Sequence, residues 1–554
     1  MIEIVLPDGK THKVEKGSTF LPLAATCEKA FASPIVGAVL NGKEKSLQQP
    51  VDCSGKLDFI ELNEEDGQRI YIRTLLFVML AAAKNLYPEL ELEVRNTLGN
   101  ALYCVEHSCM HLEPGKIAVL KKEMQRIIDA ESPISYTTFP KEEALLRAED
   151  CCSTDRLMLL RELPDDTNVT LYYLENCTGY FFGPLCPNAG YINYFDIFAY
   201  EKGLIIEYPG IGSWDKASEF TDNKVLNSAY QEMEEWAALI NCNTVGKLNS
   251  LIESGESERI IRIAEGLHEK KIVNIADMVA AKAENLKILL LAGPSSSGKT
   301  STAQRLSVQL EVNGIQPIPI SMDDYYKNRT DTPRKDDGSY DFESVEAIDL
   351  ELFNEHMTKL LQGDVVEIPK FNFMNGVREY RGRKLQMSKN SVLIVEGIHG
   401  LNEKLTQMIP AERKLKIYVS ALTPMSLDEY NRINTTDVRL LRRMVRDSKF
   451  RSHDAVATLN RWSDVRSGEE RFIFPFQGRA DIVFNTALIY ELAVIKKFAQ
   501  PLLEAVPADE KTAFRIAQRL LTLLRYIRPI DEATIPNNSI LREFIGGSVF
   551  KEAL

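Results

Sequence analysis

The stretch from residue 285 to 312 constrains this chain more than any other. "NLKILLLA" is a continuous apolar run of the kind that is buried on both faces of a parallel sheet. Gly293, Pro294, Ser295, Ser296, Ser297, Gly298, Lys299 and Thr300 follow at once and fit G-x-x-x-x-G-K-[ST] at every fixed position. "STAQRLSVQLEV", from Ser301, then reads as a helix. Glycines let backbone N–H groups close around an anion, and the helix N-terminus adds its positive dipole end. The spacing predicts a nucleoside triphosphate in this loop, Lys299 on its β- and γ-phosphates, and the Thr300 hydroxyl on Mg²⁺. Alone, such a loop suits a GTPase, a motor or a kinase.

The rest of the chain sets bounds on the reading. Its 554 residues suffice for three or four domains. Hydrophobic residues at 44% and charged residues at 26% are those of a globular protein. A formal net charge of -13 argues against a broad nucleic-acid surface and favours a small-molecule substrate. The start, "MIEIVLPDGK", lacks the pattern of a signal peptide, and the longest apolar run, Leu75 to Ala83, is too short to span a bilayer, so a cytoplasmic protein is expected. All nine cysteines lie between Cys27 and Cys242 at irregular spacing, which predicts reduced, mostly buried thiols.

Residues 1 to 62 alternate short apolar strands with the turns Asp8-Gly9 and Asn41-Gly42, predicting a small mixed sheet. This stretch resembles the TGS domain, a β-grasp module found at the start of threonyl-tRNA synthetases. Residues 63 to 220 continue the resemblance: "EEDGQRIYIRTLLFVMLAAAKNLYPE" is similar to the opening helix of that family's editing domain. The family carries two histidines four apart there, and a cysteine and a histidine near a later Gly-Pro. The matching positions here read Arg73, Phe77, Phe181 and Leu185, which implies a retained fold without editing chemistry. Nearby, "EHSCMHLEPG" sets His107 and His111 four apart around Cys109; a metal pair and a polar loop both fit, and Pro114-Gly115 would end a helix almost at once. The Cys151-Cys152 pair reads as structural. Residues 221 to 285 show helical periodicity and read as a connector or a packing layer.

After a second apolar strand, "IQPIPIS", comes "MDDYYK". A carboxylate at the C-terminal end of a parallel strand lies in the crevice where open α/β sheets bind ligands, and it can accept the proton of an attacking hydroxyl. From this motif onward the chain resembles the uridine kinase and phosphoribulokinase family, over roughly residues 287 to 495. The resemblance implies Asp323 as catalytic base, with Asp324 as its neighbouring competitor. It implies Glu343 on the sugar hydroxyls in place of an Asp, and Tyr326, Phe371 and Phe373 beside the base. In "IPKFNF" the family's Asp is Asn372, and its base-contacting histidine falls at Gly376. Glu396, ending "SVLIVEG", matches the acidic residue near Mg²⁺. "DVRLLRRMVRDSKFRSHD" is similar to the family's lid, with Arg443, Arg446 and Arg451 on the transferring phosphates and the acceptor, and with His453 where a further arginine is expected. The other reading of that stretch is a solvated helix face bearing Arg439, Arg442, Arg443 and Arg446.

These readings predict a multidomain α+β and α/β chain: a β-grasp domain (1–62), a degenerate editing-like domain (63–220), a helical connector (221–285), a phosphate-loop kinase domain with a parallel sheet (286–499) and a helical tail concerned with packing (500–554). The expected activity is transfer of the ATP γ-phosphate to the 5'-hydroxyl of a ribonucleoside, with ATP and Mg²⁺. One alternative is a kinase of another small alcohol or a sugar phosphate. The other is an ATP-switched RNA-binding or regulatory protein, for which the first 60 residues, with seven lysines against seven acidic residues, offer no basic footprint.

Overall fold

The computed structural model describes residues 1–99, 101–108, 110–149, 153–335 and 338–550. Cys109 and the Cys151-Cys152 pair lie outside the described residues. The fold is mixed α/β and built from several sheets, none closed into a barrel among the described residues.

The sheet that carries the phosphate loop has five parallel strands, in the order Gln316–Ser321, Ser391–Glu396, Ile288–Ala292, Lys414–Ser420 and Ile482–Asn485. Its central strand, Ile288–Ala292, is buried throughout because helices cover both faces. Leu289 and Leu291 pack with the layer that includes the helices Ser257–Ala281 and Lys299–Val312, while Ile288 and Leu290 pack with the helix Leu350–Gln362 on the other side. Register aligns the strand ends: Ser321 pairs with Glu396, and Leu291 also pairs with Glu396. The residues that follow these strands therefore emerge together at one edge, the usual ligand crevice of such sheets.

Among the described residues the first half holds four further sheets, one of them the two-stranded ribbon Pro209–Gly210 with Ser213–Ala217. Strands Thr11–Val14, Ile2–Val5, Gly55–Glu61, Ile35–Leu40 and Lys43–Lys45 form a mixed sheet over the short helix Leu21–Cys27. Gly9 and the Asn41-Gly42 pair take positive φ in its tight turns, as their residue types allow. Beyond it, the buried helix Glu65–Leu86 packs among a four-stranded and a three-stranded antiparallel sheet. The stretch between residues 221 and 285 is helical, with helices Lys224–Leu239, Val245–Glu253 and Ser257–Ala281.

His107 and His111 do not share a helix. The strand Ala101–Glu106 ends just before them, and Pro114 begins the helix Pro114–Asp129 instead of stopping one. His107 lies 2.7 Å from Glu93 Oε2, His111 turns its backbone into the left-handed region, and no metal-ligating cluster occurs among the described residues. The described cysteines, six in number, are free thiols, four of them buried, with Cys53 exposed. Among the described residues no helix is long and apolar enough to cross a membrane.

One hydrophobic core unites the two halves. Leu159, Leu160, Leu163, Leu171 and Tyr180 belong to the same buried cluster as Leu289, Leu291 and the C-terminal residues Leu520, Ile540 and Phe544. Polar ties reinforce it: Arg156, buried at 2% exposure, meets Asp428 at 3.3 Å and Glu429 at 3.2 Å. The Tyr180 and Tyr526 hydroxyls are 2.5 Å apart.

Candidate active site

The phosphate loop closes tightly because its glycines permit it. A Cβ on Gly293 would sit 1.9 Å from the Val419 carbonyl oxygen, and Gly298 caps the following helix at φ +84°. Ser296 also has positive φ, at +57°. Lys299 Nζ donates to the carbonyls of Gly293 at 2.9 Å and Pro294 at 3.0 Å. Thr300 Oγ1 donates to Glu396 Oε1 at 2.8 Å, so the hydroxyl and the carboxylate already stand as a pair.

The two aspartates of "MDDYYK" are separated by their surroundings. Asp324 is buried, accepts from the Phe371 N–H at 3.4 Å and lies 3.7 Å from Lys370 and 3.9 Å from Arg383, so it anchors the hairpin of strands Lys370–Asn372 and Val377–Glu379. Asp323 is half-buried and interacts electrostatically with Lys299, Glu343 and Glu396. Burial raises its pKa, and Lys299 opposes the rise. Burial likewise pushes Glu396 up to about 7 and lowers Lys299. Glu343 is raised by burial and then by the neighbouring Glu469 and Asp323 charges; a Cβ on Gly468 would meet its Cγ at 2.8 Å.

Beside these carboxylates lies an aromatic trio. Ring centroids of Tyr326 and Phe371 are 5.5 Å apart, those of Phe371 and Phe373 are 5.1 Å apart, and Phe373 is 60% exposed. Asn372, where the resemblance implies an Asp, is used inside the hairpin, donating to Glu379 at 2.9 Å and accepting from the Asn375 N–H at 3.2 Å. Gly376 adopts φ +68°, and a Cβ there would meet Arg329 Nε at 2.7 Å. The arginine thus fills the space next to the position where the family's histidine is expected.

The helix Thr435–Phe450 runs across the loop, and here the solvated-face reading is corrected. Arg439 and Arg442 are fully buried, because the carbonyls of the phosphate loop and two buried glutamates need partners. Arg439 pairs with Glu469 and donates to the Ser295 carbonyl at 3.0 Å, while Glu469 accepts from the Ser295 N–H at 3.0 Å. Arg442 pairs with Glu491 at 2.5 Å and donates to Thr486, whose hydroxyl donates to the Ser297 carbonyl at 2.5 Å. Arg443 donates to Ser295 Oγ at 2.8 Å. Arg443, Arg446 and the half-exposed Arg451 all converge on Asp447, at 3.2, 3.4 and 3.5 Å. His453 stands just beyond, its N–H bonded to the Asp447 carbonyl.

The residues after 500 share the central core, and Glu543 among them reaches the phosphate loop, accepting from the Ser301 hydroxyl at 2.7 Å. Sequence reading offered Arg439 and Arg442 only as part of a solvated face and missed Glu469, Thr486, Glu491 and Glu543. Residues 439, 442, 443 and 446 lie on one helical face, which sequence alone reads as solvated; the glutamates offered no signal.

Residues 288–491 match the Phosphoribulokinase / Uridine kinase family. The first half matches threonine–tRNA ligases: that of Syntrophomonas wolfei is 27% identical over 239 residues, covering 42% of this chain and 37% of the ligase, and that of Clostridium kluyveri is 26% identical over 190 residues, covering 34% and 30%. The chain thus spans about a third of the length of these curated relatives. Among solved structures, D-glycerate 3-kinase from Cryptococcus neoformans is 15% identical with a TM-score of 0.26, over 37% of this chain and 87% of that one. Residues 288–491 are a phosphoribulokinase/uridine kinase family domain, set behind an N-terminal half similar to part of the threonine–tRNA ligases.

Proposed function

We propose that this chain transfers the γ-phosphate of ATP to the 5'-hydroxyl of a ribonucleoside. The observation that carries the reading is the convergence of Lys299, the Thr300–Glu396 pair and the raised carboxyl of Asp323 at one sheet edge, beside an aromatic trio able to stack on a base. Asp323 orients the acceptor hydroxyl and takes its proton. Lys299 leaves the loop carbonyls for the β- and γ-phosphates, and Arg443, Arg446 and Arg451 shift from Asp447 toward the transferring group, where negative charge is greatest. Glu343 holds sugar hydroxyls. Thr300 and Glu396, hard oxygen donors already 2.8 Å apart, are the residues to hold Mg²⁺, whose charge stabilises the phosphoryl oxygens. The phosphate loop residues 293–301 bind the triphosphate, and the chain acts in the cytoplasm.

Gly376, where the resemblance implies a base-contacting histidine, supports a second reading, phosphorylation of another small alcohol or a sugar phosphate, since that side chain's contact to the base edge is missing. The test is a panel of uridine, cytidine, guanosine, adenosine, ribulose 5-phosphate and glycerate, scored by mass spectrometry for ATP-dependent product. Ribonucleosides should be phosphorylated with loose base preference. Product from a non-nucleoside alone would replace the nucleoside reading with the second one.

A further inference from the structure

Ser301 lies in the first turn of the helix Lys299–Val312, where backbone N–H groups have no helical acceptor. Together with the dipole, those donors are what a nucleotide phosphate meets at such a loop. Here the Ser301 N–H is already engaged. Glu543 Oε2 accepts from Ser301 Oγ at 2.7 Å and from the Ser301 N–H at 3.3 Å, across 242 residues of sequence. Its other oxygen lies 3.8 Å from Arg446 Nη1.

The backbone that presents this carboxylate is fixed. Ile540, Leu541 and Phe544 are fully buried, Ile540 closes over Gly298, and Phe544 lies 5.0 Å beneath the Arg442 guanidinium. Lys449 Nζ donates to the Ile545 carbonyl at 2.6 Å, and Arg542 donates to the carbonyls of Glu532 and Ile535 at 2.8 and 2.6 Å. Nothing in these contacts depends on the Glu543 carboxylate, which can turn away about its own side-chain bonds while the segment stays in place.

We propose that Glu543 is an intramolecular occupant of the nucleotide phosphate site, so that the C-terminal segment sets nucleotide affinity from within the chain. The inference rests on the triphosphate reading of the loop. A carboxylate and a phosphate cannot share one N–H and one hydroxyl, and two anions this close repel each other. A phosphate therefore binds only to the fraction of molecules in which Glu543 has turned out, which lowers the apparent affinity by that fraction.

Isothermal titration of ATP into the full chain tests this. Glu543→Gln and Glu543→Ala should tighten ATP binding by about five- to tenfold, the factor by which the closed fraction reduces it. Adenosine, which has no phosphate to compete, should bind both variants as it binds the wild type. Circular dichroism identifies the variants that keep their fold, and either one suffices. ATP affinity unchanged or weakened in a folded variant, with the wild type binding ATP, overturns the inference and leaves the triphosphate reading standing. Equal tightening of adenosine also overturns it, because the effect would then be one of room for the base. If neither wild type nor variant binds ATP, the triphosphate reading falls and the inference with it.

Discussion

Asp323 and Asp324 differ in nothing but what surrounds them, and the chemistry follows from that. Asp324 is held by Lys370, Arg383 and the Phe371 N–H, whereas Asp323 interacts with Lys299, Glu343 and Glu396. Asp323→Asn should lower kcat by about 10² to 10⁴ with ATP still bound, the range expected for loss of a general base. Asp324→Asn should instead lower thermal stability and alter kcat far less, by loosening the hairpin; steady-state kinetics beside a melting curve separates the two. Lys299→Ala should abolish transfer in a folded chain, and undiminished turnover in that variant would sink the loop assignment. The loop residues were legible in the sequence because their spacing is local. Glu469 and Glu543 were not, because their partners lie 174 and 242 residues away and only folding brings them together.

At the scale of elements, the helix Thr435–Phe450 shows how one sequence pattern serves two tasks. Arg439 and Arg442 support the loop from inside, and Arg443, Arg446 and Arg451 pair with Asp447. Glu469→Ala leaves Arg439 buried without its partner, which should cost about 3–5 kcal/mol of stability and raise the KM for ATP; a thermal melt and initial rates check both. Amphipathic periodicity made the helices legible, but not which face met which neighbour. The helix Ser257–Ala281 is an example: its His268 is fully buried against Phe484 and lies 3.2 Å from the Ala487 carbonyl. Burial holds His268 at about 3, below the usual 6.5. Between those values the unfolded chain binds a proton that the folded chain does not, so stability falls as pH falls, by up to about 1.4 kcal/mol per unit. His268→Gln should therefore lose less of its melting temperature than the wild type does between about pH 7 and pH 5.

At the scale of the whole molecule, one shared core ties the kinase-family domain to the first half. Sequence composition gave no hint that Leu159, Leu160 and Tyr180 would share a core with the central sheet, since shared cores leave no local signature. Residues 221–554 expressed alone should therefore aggregate or melt at lower temperature than the full chain, as they would expose the apolar surface the first half covers; light scattering and a melting curve decide it. In that first half, Phe77 and Phe181 meet edge to face with centroids 5.2 Å apart, Leu185 is buried, and Arg73 donates to the Phe182 carbonyl at 3.0 Å. Apolar packing and a hydrogen-bonded arginine stand where the resemblance implies metal or editing ligands, and the full chain should not deacylate mischarged tRNA in a filter assay. The central claim, transfer to a hydroxyl, is tested most directly by ³¹P NMR of the full chain with ATP, Mg²⁺ and uridine. A phosphomonoester signal growing in step with ADP is the predicted result; ADP appearing with inorganic phosphate alone, or ATP left unconsumed, would contradict it.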